Sequence, residues 1–207
     1  SAASDVYKRQ GWYDAGDYNK YIVNSGFTLG LILQSYQLHQ DRFNSLNLQI
    51  PESDNKIPDI LDEMMYNLEW MLTMQDPTDG GVYHKLTTPN FEGFVMPEDC
   101  KQQRYVVQKT TTAALDFAAT MALAARIYQR FPEFQSFCQQ AIESAEKAYA
   151  WAVKHPTVYY DQDGNNKKFS PAIQTGGYGD NHTEDEFFWA ATEPVSYTHL
   201  TLPTNRE

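Results

Sequence analysis

The 207-residue chain is 42% hydrophobic and 14% aromatic, enough apolar material for a folded core, which excludes intrinsic disorder as its general state. Sixteen basic against 27 acidic residues leave a formal charge of -11, which repels nucleic acid and anionic membrane surfaces and leaves neutral or cationic partners. The two cysteines, Cys100 and Cys138, form no zinc-ligand spacing, and no window approaches the roughly 20 apolar residues of a membrane span.

In chain order, Ser1–Gln10 (SAASDVYKRQ) carries no helical period. Gly11–Tyr21 (GWYDAGDYNKY) follows, with two carboxylates three residues apart between aromatic rings. Gly16 is expected to permit a tight turn and Ala15 adds little bulk, so Asp14 and Asp17 can be aimed at one volume the size of a water molecule. Paired carboxylates suit glycoside hydrolysis by inversion, in which one takes a proton from the attacking water while a distant acid protonates the leaving oxygen. Trp12, Tyr13, Tyr18 and Tyr21 offer flat apolar faces and polar edges of the kind that pack on sugar rings. The bare tetrapeptide equally suits two turn and helix-capping residues.

Ser25–His39 is rich in apolar residues and predicts a mostly buried helix, and polar 42–56 predicts a surface connection. Pro58 suits a first helical turn, and Ile57, Ile60, Leu61, Met64, Met65, Leu68, Met71 and Leu72 then recur at spacings of three and four, one helix with one apolar face. Trp70 falls off that stripe and is expected to face a second helix layer. QDPTDGG ends the helix with turn chemistry, Val82–Thr88 predicts a short extended piece, and 89–110 a long loop. Thr112–Phe131, with its many alanines, predicts a helix that a neighbour can approach closely, and Phe134–Ala152 a second amphipathic helix ended by His155-Pro156. With almost no connection between them these two should form an antiparallel hairpin. Tyr159–Ser170 is turn-rich, and Thr183-x-x-Glu186 opens a last helix. The fold class on this reading is all-α.

Four blocks carry a family resemblance: GWYDAGDYNKYIVNSG (11–26), IPDILDEMMYNLEWMLTMQDPTDGGVYHK (57–85), TTAALDFAATMALAARIY (111–128) and TGGYGDNHTEDEFFWAATE (175–193). In content and order they resemble the family 9 glycoside hydrolases, inverting cellulases and endo-β-1,4-glucanases whose Asp-Ala-Gly-Asp motif carries the base. The resemblance implies Asp17 as general base and Asp14 as its partner on the water. It also implies an (α/α)6 barrel, a six-hairpin toroid of which this chain supplies about five of twelve helices. Residues 1–10 and 194–207 match nothing in the pattern and are expected to be a foreign leader and tail, leaving 11–193 as the N-terminal part of a catalytic domain. The family's catalytic acid, a Glu near the domain's C-terminal end, matches nothing here; Glu92, Glu98 and Glu193 have no claim to the role.

Further expectations follow from the same likeness. The partner is a β-glucan polysaccharide or oligosaccharide, acted on outside the cell, by a parent protein that can carry immunoglobulin-like or carbohydrate-binding domains. No organic cofactor is expected. A structural calcium is implied at Asp180, Asp185 and Glu186, hard oxygen donors, although Glu186 also serves a capping box and Asp185 the helix dipole without metal. Trp12 and Tyr178, beside turns, are candidate sugar platforms with Tyr13 and Tyr18, and His84 is a candidate cleft residue; Trp70 and Trp151 are expected in the core.

Overall fold

The structure is a computed structural model that describes the backbone of residues 10–201 and side chains over 10–193. The expected leader therefore falls, apart from Gln10, outside the described residues, as do 202–207 of the expected tail.

Among the described residues seven α-helices run in chain order: α1 (Ile22–Leu38), α2 (Gln40–Asn44), α3 (Asp59–Thr73), α4 (Thr111–Tyr128), α5 (Gln135–Lys154), α6 (Gln162–Lys168) and α7 (Glu184–Thr201). The four predicted long helices are present, within the usual uncertainty of helix ends. The short α2 and α6 arise inside stretches that the sequence read as connection and turn; at five and seven residues they are too short to show a period. Helix α7 continues to Thr201, past Glu193.

Helix α4 is the centre of the molecule. Almost every side chain on it is buried, on all sides, so it is an inner helix surrounded by others. Thr110 caps its first turn, accepting from the Ala113 N–H. The alanines allow α1, α5 and α7 to lie close against it. Gly26 of α1 marks how close: a β-carbon there would stand 3.0 Å from Asp116 Cβ and 3.3 Å from Thr120 Oγ1. Helices α4 and α5 form the expected hairpin through a single turn of 3-10 helix at Pro132–Phe134, with Tyr128 edge-on to Phe134 and Phe137. Outward-facing Phe27 and Leu31 of α1 and Phe188 of α7 remain exposed, an apolar face of the kind an incomplete barrel leaves.

A small antiparallel sheet, order β1-β2-β3, closes one end: β1 (Lys20–Tyr21), β2 (Lys85–Thr87) and β3 (Tyr105–Val106). Only β2 was foreseen, because two-residue strands show no alternation. The register pairs Tyr21 with Lys85 and Thr87 with Tyr105, so Tyr21, Lys85 and Thr87 share one face. Trp70 is fully buried and Trp151 nearly so, both in the core as expected, and both cysteines are free thiols.

Candidate active site

The Asp loop is fixed at three points that flank its carboxylates. Gly11 takes φ +89, and a β-carbon on it would lie 2.5 Å from Trp70 Cγ, so this position, not Gly16, is where the chain needs glycine. Gly16 has no left-handed φ and open space around it, which corrects the reading of the tight turn. Trp12 is tied to α3 twice, its backbone N–H donating to Asn67 Oδ1 (2.9 Å) and its indole to Glu63 Oε1 (2.7 Å). Asn19 is buried, and its Oδ1 accepts from Thr88 N–H (2.8 Å), pinning the loop to the end of β2. The loop then closes on itself through Asp14 N–H to the Asn19 carbonyl, 3.1 Å.

The two carboxylates differ in how much of their accepting capacity is used. Asp14 Oδ1 accepts from the Asn24 amide (2.6 Å) and Oδ2 from the Tyr178 hydroxyl (2.8 Å). Asp17 Oδ1 accepts from Asn19 N–H (2.9 Å), while Oδ2 has only a long approach from the Tyr21 hydroxyl, 3.5 Å. Asp17 thus keeps a largely free oxygen, and Asp14 is held in orientation from both sides. Both face the same two phenols. Tyr21 and Tyr178 pack edge-on, centroids 4.8 Å apart. Burial, then the Asp17 charge, raises the Tyr21 phenol far above its ordinary value; the hydrogen bond to Asp14, then burial, raises that of Tyr178. Both therefore remain neutral donors. Asn24, on the first turn of α1, carried no signal in the sequence that singled it out.

Asp14 opens on a cavity of about 620 Å³ lined also by Asn24, Thr28, Asp116, Tyr178 and Trp189. A smaller recess of about 110 Å³ lies between Trp12, Tyr13, Asp14 and Tyr21. Tyr13 is exposed, tilted against Tyr18 at 5.0 Å, with the Arg104 guanidinium over its outer face; the Tyr18 hydroxyl donates to the Val95 carbonyl of the long loop. Tyr178 and, with Arg104 over one face, Tyr13 are the exposed rings beside the carboxylates, whereas Trp12 and Tyr18 are half-buried.

His84 does not reach this surface, which corrects its expected place in the cleft. It is 0% exposed, stacked on Tyr160 at 4.4 Å, and both ring nitrogens are engaged. Gly177 O, 2.7 Å from Nε2, can only accept, so Nε2 carries the proton and Nδ1 accepts from the Thr110 hydroxyl at 3.0 Å. Burial pushes its pKa down to about 4, which keeps the ring neutral.

The residues expected to hold calcium are only partly together. Among the described residues no three His, Cys, Asp or Glu side chains gather at a metal-sized point. Asp185 and Glu186 adjoin, and burial, with Asp185 and Asp180 nearby, pushes Glu186 up to about 7. Glu186 Oε2 is buried and unpartnered, an orphan oxygen that a cation would satisfy. Asp180 instead accepts from the His182 N–H at 2.8 Å. The pair fits two positions of an oxygen-ligand site, and the expected third donor is not gathered with it. Of the other carboxylates, Glu193 is spent on Arg126 and Trp189, and Glu92 accepts from Cys100.

A family model described as glycosyl hydrolase family 9 matches residues 2–203. A xyloglucan-specific endo-β-1,4-glucanase, BoGH9A, of Bacteroides ovatus is 63% identical over 193 residues, covering 93% of this chain and 33% of that protein. Endoglucanase D of Acetivibrio thermocellus is 39% identical over 186 residues, 89% of this chain and 28% of that one. A solved structure titled Bacteroides ovatus GH9 superposes with a TM-score of 0.91 at 62% identity, covering 93% of this chain and 35% of that chain. The chain spans about a third of the length of the relatives it matches.

Proposed function

The chain belongs to glycosyl hydrolase family 9, and from that membership we propose that it forms the water-activating part of an inverting hydrolase of β-1,4-linked glucans. Asp17 is the general base: its free Oδ2 takes a proton from a water whose oxygen attacks the anomeric carbon. Asp14 accepts the water's other hydrogen and so aims the lone pair, its own carboxylate being fixed by Asn24 and Tyr178. Tyr13 and Tyr178 supply ring faces for sugar, with Trp12 and Tyr18 behind them.

The observation that carries this reading is the asymmetry within the pair: Asp14, which lines an open cavity, is held by one hydrogen bond on each oxygen, and its neighbour Asp17 keeps an oxygen to spare. Turn or capping residues alone would not need a tyrosine from 164 positions away to orient one of them.

Among the described residues no carboxyl group takes the place of the acid, which in an inverting enzyme stands about 6.5–9.5 Å across from the base; on this proposal it comes from outside these residues, and hydrolysis by this segment alone should be very slow. Xyloglucan is the first substrate to offer, because the relative at 63% identity is named for it. Cellulose, mixed-linkage glucan and amino sugar chains are the comparison set. A polymer substrate places the enzyme outside the cell, where immunoglobulin-like or carbohydrate-binding domains can accompany it. Asp185 and Glu186 contribute two oxygens to a structural calcium that takes no part in bond cleavage.

A second reading, a non-catalytic helical sugar-binding scaffold, is favoured by no observation at the Asp pair. The discriminating experiment offers these glucans to a full-length enzyme carrying this segment and follows products by NMR. New reducing ends that appear first as the α-anomer support the proposal. The β-anomer first would contradict inversion, and binding without cleavage would favour the scaffold.

A further inference from the structure

Lys85 is a buried cation that the hydrolytic mechanism does not use. It lies in the middle strand of the sheet, 0% exposed, and its ammonium meets no carboxylate in ion-pair range among the described residues. Burial pushes the Lys85 ammonium down to about 8, opposed by the charge of Asp17 from beyond ion-pair range, so the sequence forgoes stability at this point. Its neighbours indicate what that stability is exchanged for. Nζ donates to the Gly176 carbonyl at 2.5 Å and to Gln162 Oε1 at 3.1 Å, with Thr175 Oγ1 at 3.2 Å and the Thr175 carbonyl at 3.4 Å. Two aromatic faces complete the enclosure, Tyr160 at 5.1 Å and Tyr21 at 5.5 Å.

Apart from Gln162 of α6, these acceptors lie in one segment, and Lys85 is not alone in holding it. Thr87, two residues on and therefore on the same face, shares a hydrogen bond of 2.5 Å with Thr175 Oγ1. His84, one residue back, donates to the next carbonyl, Gly177. Three successive carbonyls, at 175, 176 and 177, are thus fixed by two adjacent side chains, Lys85 at the start of β2 and His84 just before it. The residue that follows is Tyr178, which takes φ +48, a left-handed conformation that a bulky residue adopts only when its surroundings impose it. That conformation lays the Tyr178 ring on Tyr21 and brings its hydroxyl to Asp14.

We propose that Lys85, with His84 beside it, is a positioning residue of the hydrolytic site: it clamps the 175–177 backbone so that Tyr178 is held on Asp14 and fixes the direction of that carboxylate. The inference rests on Asp14 and Asp17 acting on water as described above, and it adds a residue that touches neither sugar nor water. The arrangement is economical in sequence, since β2 already carries the register that places Tyr21 opposite Lys85. The asymmetry of the Asp pair therefore originates partly in the sheet and not only in the loop.

The test is a mutant cycle in a full-length family 9 enzyme carrying this segment, with kcat and KM measured on soluble xyloglucan and mixed-linkage glucan. Tyr178→Phe, which removes one hydrogen bond to a charged acceptor, should lower kcat about 10- to 100-fold with KM changed less than about threefold. Lys85→Met should lower kcat by a similar factor, and Lys85→Met with Tyr178→Phe should be no worse than Tyr178→Phe alone, because both remove one orientation. Unchanged kcat in Lys85→Met, or losses that multiply in the double variant, would overturn the clamp. Should Lys85→Met fail to give the native circular dichroism spectrum, Thr175→Val, which leaves the amine in place, carries the cycle: a non-additive loss supports the clamp and full activity refutes it. Asp17→Ala runs in parallel as the reference. If it retains turnover, the hydrolytic reading fails; if it is dead while Lys85→Met is fully active, only the clamp fails.

Discussion

His84 offers a stability measurement whose sign and size follow from its surroundings. An exposed imidazole titrates at 6.5, and burial holds this one at about 4, because a charged ring would lose solvation and stand beside Lys85. Between those values the unfolded chain binds a proton that the folded chain refuses, so protonation favours unfolding. The contribution is fully present above pH 6.5 and is lost progressively as pH falls toward 4. At about 1.4 kcal/mol for each pH unit the gap amounts to about 3 kcal/mol, with no discount for screening, since the ring is wholly buried. The perturbation is His84→Gln, whose amide can still donate to the Gly177 carbonyl but cannot titrate. Urea unfolding of both forms of a full-length enzyme, at steps from pH 7.5 to 4, gives two stability curves. Titrating carboxylates act on both and cancel in the difference. The native protein should lose about 3 kcal/mol more than the variant over that range. Parallel curves would refute the reasoning and with it the neutral, doubly bonded ring.

Two glycines in the Asp loop should respond in opposite ways. Gly11→Ala combines a left-handed φ with a β-carbon 2.5 Å from the buried Trp70 ring and should cost about 2–5 kcal/mol in a denaturant titration, with activity reduced through displacement of the loop. Gly16→Ala, with nothing within 4 Å, should change stability by less than about 1 kcal/mol, and a large loss there would restore the tight turn to Gly16. Added calcium should raise the melting temperature of a full-length enzyme by several degrees and EDTA should reverse it, with Glu186→Gln abolishing the shift; a melt indifferent to calcium would remove the ion from the account.

The long helices were legible because each presents three or four turns of apolar periodicity or, in α4, alanine on every side. The Asp pair was legible as local sequence, two carboxylates and their aromatic flanks within a few residues. What completes it was not. Asn24 stands 10 residues from Asp14 and Tyr178 stands 164, and neither spacing carries a period. The strands β1 and β3 are two residues each, below the length at which alternation can be seen, so the register placing Tyr21 opposite Lys85 had no signature. His84 has only its side-chain chemistry to mark it as a cleft candidate, and that chemistry suits a core histidine as well; its two hydrogen bonds and the Tyr160 stack seal it inside. Asp180 was grouped with Asp185 and Glu186 by proximity in the chain, but its carboxylate closes its own turn onto His182.

The central claim is that Asp17 accepts the proton of the attacking water while Asp14 aims it. It is tested most directly by Asp17→Ala in a full-length enzyme carrying this segment, with turnover and glucan affinity measured on the same preparation. A loss of kcat of at least about a thousandfold with affinity for the oligosaccharide retained within a few-fold is the predicted result. Turnover near that of the unaltered enzyme would contradict it.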